Sequence, residues 1–392
     1  MKKSGRDCLL ITFVSLVSTF LIWLPFFLRL TSFWRIPLPS EGMATIMKNF
    51  DGLYYAVIAK SFYRPEIIEQ LFSFPLPAIY YAAHFPLYPL LIRLFSPVFG
   101  YLWSMLSVAL ISSVLAAVVF YLFVKEFKYS KSALWLTFVF LLFPARWLVV
   151  RSIGSPEPLF ILLILVSFYF FKKNLPAGRH GNYWLAGIFG ALTQLTKPPG
   201  ILLFLGYIAF LLVKNWPELK KRTMITLVNL FKKAYPLLLI PLALLGLFAY
   251  YRFAYGDFWA YFHAGINVHP IFWPPFQVFN ASARWVGTFW LEEIIYIFLL
   301  GVLGVIYLFK QKRYDLAVFT AIFFAATFFV AHRDISRYSL PLVPFLLIAF
   351  EPLLVKKEFK IALAIILLPI FLYSINFIAG NTLSIADWSS FL

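Results

Sequence analysis

AAHFPLYPLLIRLFSPVFG, residues 82–100, is the stretch whose placement decides the topology of this 392-residue chain. It is 19 residues long and apolar, close to the roughly 20 residues a helix needs to cross a bilayer. It also carries Pro86, Pro89, Pro97, His84 and Arg93. Basic residues cluster at Lys2–Arg6, Lys125–Lys131, Lys172–Arg179, Lys214–Lys233, Lys310–Arg313 and Lys356–Lys360. Those clusters hold 21 of the 34 lysines and arginines. If residues 82–100 crossed, 18 of the 21 would change sides. If they stay on one side, every cluster faces the cytoplasm with the N-terminus, and the positive-inside pattern has no exception. The segment therefore reads as re-entrant or interfacial.

The rest of the chain agrees with a membrane protein. It is 62% hydrophobic and 13% charged, against roughly 45–50% and about 25% for a soluble domain. The long, unalternated apolar runs predict an all-α integral membrane protein. Spans are expected at about 9–30, 102–124, 132–150, 157–171, 183–196, 198–213, 234–254, 291–309, 315–331, 338–355 and 361–379, eleven in all. Lys197-Pro198-Pro199-Gly200 must break what is otherwise one over-long helix. The N-terminus resembles a signal sequence without a cleavage site and reads as a retained anchor. Residues 1–392 form one transmembrane domain in this reading, with no internal repeat. The net charge of +18 is accounted for by the cytoplasmic clusters and does not call for nucleic acid. Cys8 is the lone cysteine and the five histidines are scattered, so no cysteine or histidine metal site is expected. A divalent ion would need a second acid beside Asp51, and none is evident. No Gly-rich phosphate loop is present.

The expected first extracytoplasmic loop, 31–101, is too long for a plain connection and too rich in aromatic and aliphatic residues for disorder. It contains Asn49-Phe50-Asp51-Gly52-Leu53-Tyr54-Tyr55-Ala56-Val57-Ile58-Ala59, a lone acid opening an apolar helix. The same face is expected to gather His84, Arg93, Arg146, Arg151, Glu157, Lys197, Arg252, Asp257, His263, His269, Arg284, Glu292, Glu293, His332, Arg333, Asp334 and Arg337. Ionisable groups at membrane depth usually line a cavity or pathway, and arginine suits phosphate because its planar fork binds two oxygens. Plainer readings stand beside these. Asp51 also fits a helix cap, Glu157 also fits an acid complementing a helix dipole, and Arg146 and Arg151 also fit side chains reaching for headgroups. His332-Arg333-Asp334 with Arg337 could be a local ion pair, but three cations around one acid leave positive charge for a phosphate. Tyr338 fits either an interfacial belt or a substrate contact. The loop 255–290, with His263, could form a lid or acceptor contact or simply lie at the interface. Asn280-Ala281-Ser282 matches a glycosylation sequon.

Phe50 to Ala59 resembles the WDxxxYxxIA-type motif of GT-C glycosyltransferases, with Phe50 where Trp is more usual. His84-Phe85-Pro86-Leu87-Tyr88-Pro89-Leu90-Leu91 is similar to the FFPLYPLL stretch of PIG-V-like mannosyltransferases. Ser155-Pro156-Glu157-Pro158-Leu159-Phe160 and Arg337-Tyr338-Ser339-Leu340-Pro341 resemble later motifs of that family, in the same order. The resemblance implies a GT-C fold and an inverting mannosyl- or other hexosyltransferase using a polyprenyl-phosphate-linked sugar. A glycan, lipid or protein would be the acceptor, with membrane lipids around the enzyme. The implied setting is the plasma membrane of a prokaryote, or the endoplasmic reticulum of a eukaryote, with the active site extracytoplasmic. Asp51 is then the general base, and Arg333, Arg337, His332 and Lys197 hold the donor phosphate. Glu157, His84, Tyr54, Tyr55, Tyr338 and His263 are candidate substrate contacts. A flippase of lipid-linked sugars would share the spans and basic cavity but favours repeats and mid-membrane polar groups; a polysaccharide polymerase or ligase is closer in chemistry.

Overall fold

The computed structural model describes residues 2–74, 76–173, 183–265, 273–280, 291–385 and 387–391. It is almost wholly helical, with one two-residue hairpin pairing Ser32–Phe33 and Ile36–Pro37. Among the described residues five helices are long and apolar enough to cross a membrane: Ser4–Phe27, Leu87–Glu126, Thr223–Tyr255, Leu291–Lys310 and Lys357–Gly380. Large apolar side chains stand exposed along them, including Leu9, Phe13, Leu94, Val98, Phe253 and Ile365. Such surface suits lipid rather than water, and the chain is an integral membrane protein.

Several expected spans are built from shorter pieces. The run 132–150 breaks at Pro144 into Ala133–Leu142 and Ala145–Val150. The run 338–355 is divided among Ile335–Tyr338, Leu340–Leu342, Val343–Ala349 and Glu351–Leu354. Prolines at 341, 344 and 352 explain the interruptions, because each removes a backbone donor. The Pro-Pro-Gly break is as expected: Tyr183–Thr196 ends, Pro198–Gly200 forms a tight turn, and Ile201–Lys214 begins. A side chain at Gly200 would meet the Gln194 backbone at 2.5 Å, so only glycine lets the chain fold back there.

The chain divides into two compact units. The first comprises Met1–Leu162, Phe248–Asn267 and Pro352–Leu392. Its centre is the helix Gly52–Ser61, in which every residue except Lys60 is buried. The helix Lys2–Phe27 is tied to this unit by Arg151. That side chain is fully buried and donates to Leu141 O at 3.0 Å, Thr19 Oγ1 at 2.8 Å and Ser18 Oγ at 2.5 Å. Arg151 therefore does not reach for headgroups; the hydroxyls of the N-terminal helix satisfy it.

The second unit comprises Leu163–Leu247 and Val268–Glu351. Its helices approach through small residues, as membrane helices commonly do. Gly206 lies on Phe319, Gly301 on Phe324 and Gly187 against the Pro236 carbonyl. Lys172 and Asp315 form an ion pair with Asp315 buried. Arg313 closes the end of Val343–Ala349 by donating to Ile348 O at 2.9 Å.

Candidate functional site

Asp51 immediately precedes the helix Gly52–Ser61, and its carbonyl accepts the Tyr54 amide at 3.0 Å. Its carboxylate makes no capping hydrogen bond, so the plain reading of this acid as a helix cap is not what the geometry shows. The residue before it, Phe50, has φ of 45°. A bulky side chain rarely adopts that left-handed backbone, and such strain persists only where surroundings impose it.

The surroundings come from the far end of the chain. Phe50 stacks on Phe377 at 5.5 Å, and the guanidinium of Arg146 lies 3.9 Å from the Phe377 ring centre. Asn49 donates to Ile378 O at 2.7 Å and pairs with Thr382 in a β-bridge, while Leu383 N donates to Lys48 O at 2.8 Å. The helix Lys357–Gly380 and the tail after it thus hold the Asp51 turn in place.

On its other side the turn is fixed by two glycines. A side chain at Gly52 would meet the Gly154 carbonyl oxygen at 2.8 Å and Met105 Sδ at 3.2 Å. Gly154 is equally crowded by Met105. This contact brings the start of Gly52–Ser61 against the turn that leads to Glu157. Glu157 opens the helix Glu157–Lys173, is fully buried, and accepts a hydrogen bond from Ser155 Oγ. The two candidate acids therefore flank one close backbone contact.

Around Asp51 the structure gathers aromatic rings with polar tips. Tyr54 meets Tyr80 and His84 edge-on at 5.5 Å each, and Tyr55 meets His84 at 5.0 Å. His84 is buried, and its carbonyl accepts the Tyr63 hydroxyl at 2.6 Å. Burial, and then the negative charge of Asp51, push the Tyr54 hydroxyl up to about 12; the same causes raise Tyr80. Both therefore remain neutral hydroxyl donors at ordinary pH. The Tyr81 hydroxyl is buried and finds no hydrogen-bond partner among the described residues. A buried hydroxyl without a partner is costly, which marks the cluster as one suited to a polar guest.

Asp51, Tyr54, Tyr55, His84 and Glu157 are thus brought together or into linked contacts. Arg93 is used structurally: it donates to Ala59 O at 2.9 Å and covers Phe62 at 4.3 Å. His263 is exposed and paired with Asp257 at 2.6 Å, an interaction that lowers the Asp257 pKa. Of the expected lid 255–290, residues 266–272 and 281–290 lie outside the described residues, and with them His269, Arg284 and two residues of the sequon; Arg179 is outside them too.

The second unit contains the other candidates. His332 Nδ1 accepts the Asp334 amide at 3.0 Å, and its ring meets Tyr338 at 5.5 Å. Asp334 and Arg337 are buried, whereas Arg333 is exposed. Ser336 Oγ donates to Asp334 at 3.1 Å. Lys197 directly precedes the Pro198–Gly200 turn and is half-buried.

Sequence reasoning missed Tyr80, Tyr81, Phe377 and the terminal tail. The two tyrosines lie just before His84 and could have been noticed as an aromatic run. The other partners lie more than 300 positions from Asp51, and no local pattern announces them.

No curated protein matches the chain. A family model does match part of it; the matched stretch includes His84, Glu157 and Lys197 and excludes Asp51 and Arg333. Residues 83–240 match the family described as dolichyl-phosphate-mannose-protein mannosyltransferase, and that match, on an almost wholly helical chain with five membrane-length helices, supports a GT-C, mannosyltransferase-like family for this membrane protein.

Proposed function

We propose that the protein transfers a sugar, mannose or another hexose, from a polyprenyl-phosphate carrier to an acceptor hydroxyl, with Asp51 as general base. The observation that carries this reading is the Asp51 carboxylate itself. It is not spent on capping, it follows a strained Phe50, and it lies among tyrosine hydroxyls that stay neutral. In the proposed step the acceptor oxygen attacks C1 as its proton passes to Asp51. The C1–O bond to the carrier breaks, the lipid phosphate leaves with the electron pair, and the anomeric centre inverts. A phosphate leaving group needs no proton if its charge is held. Arg333, Arg337, His332 and Lys197 are the proposed cations for that, and Glu157 the proposed acceptor-orienting acid. His84, Tyr54, Tyr55, Tyr338 and His263 remain proposed substrate contacts; for His263 the pairing with Asp257 favours a local role. The basic clusters place the N-terminus in the cytoplasm and the Asp51 loop outside it in this proposal. Nucleotide sugars are absent there, so the donor arrives on a lipid.

The test is sugar transfer by purified protein from a panel of radiolabelled polyprenyl-phosphate sugars to a membrane-extract acceptor, with wild type beside Asp51→Asn. General-base catalysis is worth about 10²–10⁴-fold, so the variant should lose at least about a hundredfold in turnover with its fold intact. An equally active Asn variant would remove Asp51 from the mechanism.

A further inference from the structure

Beside the Asp51 cluster, the first unit contains a cavity of about 600 Å³ between residues 69–74 and the tail residues Ser384, Ile385, Asp387, Ser390 and Phe391. That size falls within the range of about 300–1,000 Å³ usual for small-ligand sites. One wall is the turn after the helix Pro65–Leu71; the other is the C-terminal tail. The tail is fixed there by Lys60 Nζ donating to Ser390 O at 2.7 Å, by Ser390 Oγ donating to Leu71 O, and by Phe391 packing on Phe72 at 5.2 Å and Phe74 at 6.0 Å. Phe74 in turn meets Tyr54 edge-on at 5.3 Å. A continuous row of rings therefore runs from the cavity to the residue three positions after Asp51.

The lining has a distinct chemistry. Phe72, Phe74 and Phe391 form an apolar floor. Glu69, Gln70, Ser73, Ser384 and Asp387 provide exposed hydrogen-bonding groups. Among the described residues of the lining the formal charges are the two acids Glu69 and Asp387, in a chain of net charge +18. An anionic lipid phosphate would be repelled by those acids, and the Lys60 ammonium at the cavity's edge is engaged by Ser390 O. A neutral sugar chain fits both features: its C–H faces suit the aromatic floor, and its hydroxyls suit carboxylate, amide and hydroxyl partners.

We propose that this cavity is a binding site for a neutral oligosaccharide, holding the acceptor glycan with its reacting end toward Asp51. The acceptor role rests on the transferase reading above; the binding of a glycan does not. Equilibrium dialysis of full-length protein in nanodiscs against radiolabelled trisaccharides of mannose, glucose and N-acetylglucosamine tests it. The variants are Ser73→Trp, which fills the cavity, Glu69→Gln, which keeps shape and removes a charge-assisted acceptor, and Asp51→Asn. Wild type should retain at least one trisaccharide, and Asp51→Asn should still bind it even where it no longer transfers sugar. Ser73→Trp should weaken that binding by at least about tenfold, and Glu69→Gln severalfold. Three results would overturn the proposal: no trisaccharide bound by wild type, undiminished binding by Ser73→Trp, or retention of a serine- and threonine-rich peptide instead of any sugar. Because dialysis requires no turnover, loss of glycan binding is distinguishable from failure of Asp51 as the base, which only the transfer assay reads.

Discussion

At the scale of single residues, the site depends as much on what is absent as on what is present. Gly52 has no room for a methyl group, because the Gly154 carbonyl and Met105 occupy that space. Overpacking of this kind typically costs about 1–3 kcal/mol. Gly52→Ala should therefore lower the thermal midpoint measured in detergent and cut transfer by shifting the Asp51 turn. An unchanged midpoint together with full activity would show that the turn can yield. Asp51, Tyr54, Tyr55 and His84 were all legible as candidates in the sequence, because they lie on two short motifs with a lone acid and clustered rings. That Asp51 does not cap its helix was not legible: an Asp before an apolar helix has the same pattern whether or not its carboxylate turns to the backbone.

At the scale of elements, Leu87–Glu126 shows how a proline- and glycine-marked stretch resolves. Forty residues of helix would extend about 60 Å, twice the roughly 30 Å of a bilayer core. Gly100 interrupts it with φ of 69° and ψ of 167°, a backbone region essentially confined to glycine. The break separates the segment bearing Tyr88 and Arg93 from a span-length piece that follows, close to the expected span at 102–124. Gly100→Ala should destabilise the protein by about 1–3 kcal/mol through the backbone alone, since nothing lies within 4 Å of the added methyl. Thermal unfolding of this variant should show that loss. A midpoint equal to wild type would mean that the helix straightens without penalty. Pro144 and the prolines of 338–355 were visible in the sequence too, yet the expected spans ran through them. Apolar composition sets where a span lies, while the missing amide donors set where its helix stops.

At the scale of the whole molecule, sidedness is the property that the proposed mechanism needs most. Cys8 is the only native cysteine, so a Cys8→Ser background permits single cysteines to be placed at will. Glu69 and Lys220 are both exposed. In intact cells a membrane-impermeant thiol reagent should label Glu69→Cys and spare Lys220→Cys until the membrane is opened. The reverse pattern would invert the topology and bring the Asp51 loop to the cytoplasm, where nucleotide sugars could serve as donors.

Composition, basic clusters and long apolar runs by themselves determined a helical membrane protein, a break at Pro198–Gly200, and a short set of candidate residues led by Asp51. These are local properties: hydrophobicity sums over a window, and proline acts on its own turn. Tertiary structure alone decided that Arg151 is bound by hydroxyls of the N-terminal helix, that Phe377 and Asn49 hold the Asp51 turn, and that the terminal tail walls a cavity beside it. Those contacts join positions more than a hundred residues apart, and in two cases more than three hundred. Packing chooses such partners by shape and by hydrogen-bond satisfaction across the fold, and neither leaves a periodic mark in the chain.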